Sequence, residues 1–209
     1  MKQIDIENWN RKDHYNFFSK MKSPFFGITA DVNCTKAYEK AKEQKTSFFA
    51  YYLHRSTMAI NRVKEFKYRI IDDKVYEFDI IHTGATISRS DGTFAFIYVD
   101  FDEDFNVFNK SLQNEIEAVK NSSGLNLSED DDKIKDIIHY TTVPWISFTA
   151  ILHPTNFDPK ESVPKIAFGK FYEKNGQKFM PVSVEAHHGL MDAFHMSKYF
   201  MEFEELLNH

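Results

Sequence analysis

The stretch VEAHHGLMDAFH, residues 184–195, joins a strand-like pattern to a helix-like one, and the fold turns on how it is read. Side chains alternate faces along a strand. From Met180 onward, Met180, Val182, Val184, Ala186 and His188 therefore share one face, and Pro181, Ser183, Glu185 and His187 share the other. His188 ends an apolar row, whereas His187 lies among polar residues and is expected to face outward. An imidazole at the edge of an apolar face is partly desolvated, which favours its neutral form and its use as a base. Adjacent strand histidines diverge, so one metal would not readily take both, and neither a Cys nor a second carboxylate stands at ligand spacing. No metal is expected. Asp192 opens a helical pattern in which Met196, Tyr199, Phe200, Phe203 and Leu207 line one side, a place where an aspartate caps the first turn. The residues alone leave a catalytic base and a histidine-rich helix start both open.

Working outward, YEKNGQKF carries Asn175-Gly176, the signal of a type I′ hairpin, so the strand through Phe171 is expected to pair with the one from Lys178. PFFGITADVN, TFAFIYVD, VPWISFTAIL and PKIAFGKFY read as strands, and KYRIIDDKVYEFD as strand, acidic turn, strand. WNRKDHYNFFSKM, TKAYEKAKEQK, SFFAYYLHRSTMAINRV and DFNVFNKSLQNEIEAVK read as helices, and the polar NSSGLNLSEDDDK as a surface loop. The pattern is an α/β two-layer sandwich, a mixed sheet packed by helices, in one domain spanning 1–209.

Composition narrows the function. A net charge of −5 argues against nucleic acid, whose phosphates need a basic surface. The single cysteine, Cys34, cannot form an internal disulfide and fits a reducing compartment. No stretch approaches about 20 apolar residues, so no membrane span or signal segment is expected and a cytoplasmic location is the default. Aromatic residues are 16% of the chain, which suits a core or pocket built from flat rings.

HHGLMDAFH resembles the HHxxxDG signature of the chloramphenicol acetyltransferase family. NWNRKDHYNF is similar to that family's W-x-R-[KR]-[ED]-H-[FY] segment, GTFAF to its TFS segment, and TTVPWISF to its S-x-x-P-W-x-x-F segment. The last hairpin has the same layout. The resemblance spans the whole chain and implies the family's CoA-dependent acyltransferase fold, with acetyl-CoA as cosubstrate and a small-molecule acceptor, chloramphenicol first among them.

Through this resemblance His188 becomes the general base, taking a proton from the acceptor hydroxyl as its oxygen attacks the thioester directly. Asp192 becomes the partner of Arg11, holding the turn that presents the histidine. Thr141 stands where the family has a serine that stabilises the oxyanion, and keeps the hydroxyl. Phe26 is an aromatic wall of the acceptor pocket. Phe18 and Ala167 replace a tyrosine and a threonine there, leaving the pocket more apolar. Lys170 matches a lysine near the coenzyme A site. Ala193 departs from the DG pair and puts a methyl group where the family has glycine. The family further implies a homotrimer with interfacial active sites, the base from one subunit and much of the acceptor pocket from its neighbour. The altered pocket positions keep a second reading open: an acetyltransferase for another hydroxyl or amine acceptor, or a non-catalytic member of the fold.

Overall fold

The computed structural model describes residues 1–127 and 134–209; the acidic end of NSSGLNLSEDDDK lies outside the described residues. Among them, strands β2 (Phe25–Asn33), β5 (His82–Ser88), β6 (Phe94–Val99), β7 (Ile137–Val143), β8 (Lys165–Gly169), β9 (Tyr172–Lys174) and β10 (Gln177–His187) form one sheet. Its order is β2-β10-β8-β7-β5-β6, with β9 also paired to β10. The sheet is mixed: β5, β7 and β8 run parallel, and the other pairs are antiparallel. A small antiparallel sheet of β1 (Lys2–Gln3), β4 (Lys74–Glu77) and β3 (Tyr68–Ile71) stands apart.

Helices α2 (Thr35–Glu43), α3 (Phe48–Arg62), α4 (Phe105–Lys120) and α5 (Ala193–Asn208) form one layer on one face of the main sheet. Each of the three longest begins where a side chain accepts a backbone N–H: Ser47 for α3, Asp104 for α4 and Asp192 for α5. Between the layers, Val182, Val184 and Ala186 of β10 are buried with Leu53, Ile60, Tyr199 and Phe203 of the helices. The hydroxyls in this core are satisfied: Ser56 meets Tyr140 and Tyr199, and Thr57 meets Thr83 and Tyr140. Among the described residues, no helix is long and apolar enough to cross a membrane.

Among the described residues, the opposite face of the sheet carries no helices. Part of it is covered by the irregular segment 144–164, which is tied down by Lys165 Nζ donating to the Pro154 carbonyl and pairing with Glu161. Here the chain departs from expectation. VPWISFTAIL is not a strand: pairing ends at Val143, because Pro144 has no N–H to offer a ladder. The strand in this region is the preceding one, β7. Strand β5 lies in a stretch whose small residues give little β signal, including the buried Gly84 and Ala85. Asp72 and Asp73, both at positive φ, turn the β3–β4 hairpin, and Asn175-Gly176 turns β9 into β10 as expected.

Candidate active site

Strand β10 ends at His187, and a turn carries the chain through His188 and Gly189 into α5. Short-range bonds fix this turn. The His188 N–H donates to the Pro24 carbonyl, and the Leu190 N–H returns to the His187 carbonyl. The His188 ring is held between two others, stacked on Phe18 at 4.1 Å and on Phe26 at 4.2 Å between centroids. Phe18 ends helix α1 (Lys12–Phe18), and Phe26 lies on β2 opposite Ala186. The third constraint is polar. Nδ1 of His188 lies 3.2 Å from the Met191 carbonyl, which can only accept, so Nδ1 carries the proton and the lone pair sits on Nε2. No group among the described residues bonds Nε2. The result is an imidazole clamped on both faces, half-buried, with Nε2 free among the described residues.

His187 is not the outward neighbour that alternation suggested. Its side points to the polar face as expected, but segment 144–164 covers that face here, and the residue is 1% exposed. Nδ1 accepts the Gly189 N–H at 3.0 Å, so the proton resides on Nε2 and is donated to the Pro159 carbonyl at 3.1 Å. Burial pushes its pKa down to about 4, so it stays neutral as a structural tie between the segment and the turn. A methyl group on Gly189 would stand 2.9 Å from this ring, which explains a glycine at that place.

Arg11 and Asp192 meet as expected. Arg11 donates from Nη1 to Asp192 Oδ2 at 2.7 Å and from Nη2 to the His188 carbonyl at 3.1 Å, so one guanidinium grips both ends of the turn. Asp192 is also the helix cap, accepting the Phe194 N–H on Oδ1, while His195 Nδ1 accepts the Asp192 N–H. The two roles coexist on separate oxygens. Burial alone would raise the Asp192 pKa, but the Arg11 hydrogen bond, the charges of His195 and Arg11, and the Phe194 N–H outweigh it and hold it below the ordinary value. A depressed carboxyl contributes stability above its unfolded pKa and loses it as pH falls through the folded one, so this tie weakens only in acid. Ala193 begins α5 with its side chain exposed and is absent from the positive-φ positions, so the methyl group has room.

The pair is unequal: the Arg11 side chain is 8% exposed and that of Asp192 32%. Asp192→Ala leaves a buried guanidinium without its anion, whereas Arg11→Met leaves a carboxylate that water reaches. We therefore expect Asp192→Ala to destabilise by about 3 kcal/mol and Arg11→Met by less. Urea unfolding checks the order; equal losses would show that the partners are equally solvated.

Thr141 sits elsewhere. It is registered with Ala167 on β8, Ala167 with Ser183 on β10, and Ser183 with Thr29 on β2. That row lies on the face opposite the helices, whereas Ala186 and Phe26, beside His188, lie on the helix face. Ser183 and His187, at the strand's end, are also four residues apart, roughly 13 Å at about 3.3 Å per residue. One chain thus brings together His188, Phe18, Phe26, Arg11 and Asp192, and separately Thr141 and Ala167, the latter fully buried. Lys170 follows β8 and lines a third place, a cavity of about 410 Å³ walled by Phe48, Phe49, Tyr52 and Phe171 on the helix side of the strand ends. Thr142, one residue after Thr141, reaches this cavity from the other side of the strand. The aromatic walls of Phe48, Phe49 and Phe171 were not singled out by the sequence reading; their proximity arises from α3 packing beside the β8–β9 break.

The family model for chloramphenicol acetyltransferase matches residues 1–204. The chain belongs to this family. Members of the chloramphenicol acetyltransferase family are acyltransferases, and so is this protein. A chloramphenicol acetyltransferase from Bacillus pumilus is 28% identical over all of this chain and 94% of its own length. A solved chloramphenicol acetyltransferase superposes with a TM-score of 0.93 at 31% identity, covering 99% of this chain and all of the other. A probable dihydrolipoamide acetyltransferase from Listeria monocytogenes, at 12% identity and a TM-score of 0.68 over 93% of this chain and 88% of its own, shares the fold alone.

Proposed function

We propose that the protein transfers the acetyl group of acetyl-CoA to a hydroxyl of chloramphenicol, with His188 as general base. The clamped imidazole with a free Nε2 carries this reading. Nε2 takes the hydroxyl proton as the oxygen attacks the thioester carbon. The carbonyl oxygen becomes an anion stabilised by the Thr141 hydroxyl, and as the intermediate collapses the C–S bond breaks and coenzyme A leaves as the thiol, taking the proton from Nε2. Arg11 and Asp192 hold the turn and stay out of the chemistry. Phe18 and Phe26 keep the ring from rotating and keep water from its faces. Lys170 and the rings around its cavity suit a nucleotide-bearing cosubstrate: flat walls for a base and a cation for phosphate.

The separation of His188 from Thr141 supports a composite site in which the base of one subunit faces the hydroxyl of the next. The exposed apolar side chains of Trp145, Ile146, Leu152 and Phe157 on segment 144–164 support a surface covered by another copy. The assembly we propose is the homotrimer, in the cytoplasm.

Release of free thiol from acetyl-CoA tests the activity. Chloramphenicol should sustain release well above the rate of acetyl-CoA hydrolysis alone. Release sustained only by other hydroxyl or amine compounds would keep the chemistry and replace the acceptor.

A further inference from the structure

On the face of β7 that bears Thr141, two residues earlier, stands His139. It keeps an accessible edge although most of the ring is packed by its surroundings, and among the described residues nothing hydrogen-bonds the ring. Its neighbours across the sheet are defined by register: Tyr98 on β6, Gly84 on β5, then His139, Lys165 on β8 and Glu185 on β10. Gly84 has no side chain, so Tyr98 and His139 flank a gap whose floor is backbone and the Ile137 side chain, with His139 Nδ1 only 3.7 Å from where a Gly84 methyl would be. Phe96, opposite Thr86, extends an aromatic border along the same face beside Tyr98. On the other flank the face is closed by a buried dyad, His153 Nδ1 to Glu185 Oε1 at 2.8 Å, and by the Lys165–Glu161 pair. The open strip of this face is therefore narrow, aromatic on one side and bounded on the other by buried charge pairs, with Thr141 at one end and His139 beside it.

The cations close to His139 include Lys165, Arg69 and Lys135. Arg69 is fully buried and spends its donors on the carbonyls of Phe66, Tyr68, Lys135 and Ile137. Desolvation first, then Lys165, Arg69, Lys135 and His153, hold the His139 pKa down to about 4, so the ring is neutral at working pH and offers both a donor and an acceptor nitrogen.

We propose that His139 is a specificity-determining residue that hydrogen-bonds a polar group of the acceptor other than the hydroxyl being acetylated, the acceptor's flat part lying over Gly84 beside Tyr98. This rests on the proposed acetyl transfer and names the class of acceptor: a hydroxyl compound with an aromatic portion and a second polar group. Two residues of strand put His139 about 7 Å from Thr141, so that second group stands well away from the reacting carbonyl. Phe18 and Ala167, which offer no hydroxyl, leave polar recognition to this ring.

The test uses the intact protein, chloramphenicol, and analogues each lacking one polar group: the nitro group, the secondary hydroxyl or the amide carbonyl. For wild type, removing the group that His139 binds should raise the acceptor KM about ten-fold. His139→Leu should show that rise with chloramphenicol itself, with kcat and the acetyl-CoA KM unchanged, and should no longer discriminate against that one analogue. His139→Gln, which keeps a donor and an acceptor, should recover most of the selectivity. An unchanged acceptor KM in His139→Leu, or equal discrimination in wild type and variant for every analogue, would overturn the inference while leaving acetyl transfer intact. A wild type that acetylates none of these compounds would overturn the proposed function and the inference with it.

Discussion

His188→Ala should lower kcat by about a hundred- to ten-thousand-fold and leave the KM for acetyl-CoA within two-fold. The reason is the division of labour in the turn. Nδ1 is committed to the Met191 carbonyl, and Nε2 is the one nitrogen left to take a proton. The cavity lined by Lys170 and Phe171 does not include His188, so cosubstrate binding should survive. The methyl group of alanine leaves Phe18 and Phe26 without the ring between them, so the comparison is made on protein with the wild-type melting temperature and assembly state, measured beforehand. Steady-state thiol release with both substrates varied gives the answer. A variant as active as wild type would remove His188 from the chemistry and return the turn to a purely structural role.

Mixing two crippled proteins should restore activity. Thr141→Val removes the proposed oxyanion donor and should cost about a hundred- to a thousand-fold; His188→Ala removes the proposed base. The Thr141 row lies on one face of the sheet and His188 at a strand end on the other side. In a ring of three subunits each site then takes one residue from each neighbour. A site is intact where a Thr141→Val subunit supplies its histidine to a His188→Ala subunit that supplies its threonine. In a random equimolar mixture this holds for about one site in four in a cyclic assembly. Co-refolded protein should therefore show roughly a quarter of wild-type activity, far above either parent. If both residues served one site within a chain, mixing would restore nothing.

Strand β10 and the terminal helix were legible because their patterns are long and regular: alternation from Met180 to Ala186, then a helical stripe from Met196 to Leu207. The strand expected over VPWISFTAIL was misplaced because β-rich composition runs on past Pro144, and the proline outweighs composition. Gly84 and Ala85 hid β5 for the converse reason, since a strand buried beneath neighbours needs no bulky residues of its own. In the site, His188, Arg11 and Asp192 could be assembled from the sequence because a motif marks both ends of the contact. The burial of His187 could not, because segment 144–164, distant in sequence, covers it. Nor could the opposite placement of Thr141 and His188, which depends on which strands pair and in what register.

The contact between Arg11 and Asp192 joins residues 181 positions apart, and β2 meets β10 across nearly as long a span. Contacts between such distant parts of a chain are slow to form, because the entropy of closing the loop must be overcome before they contribute. Helices α2, α3 and α4 can take shape locally, but the turn that presents His188 acquires its geometry only when the first helix and the last have found each other. The shape of the proposed site is thus a late event in folding, and a chain can possess most of its helix content before the turn that carries His188 is formed.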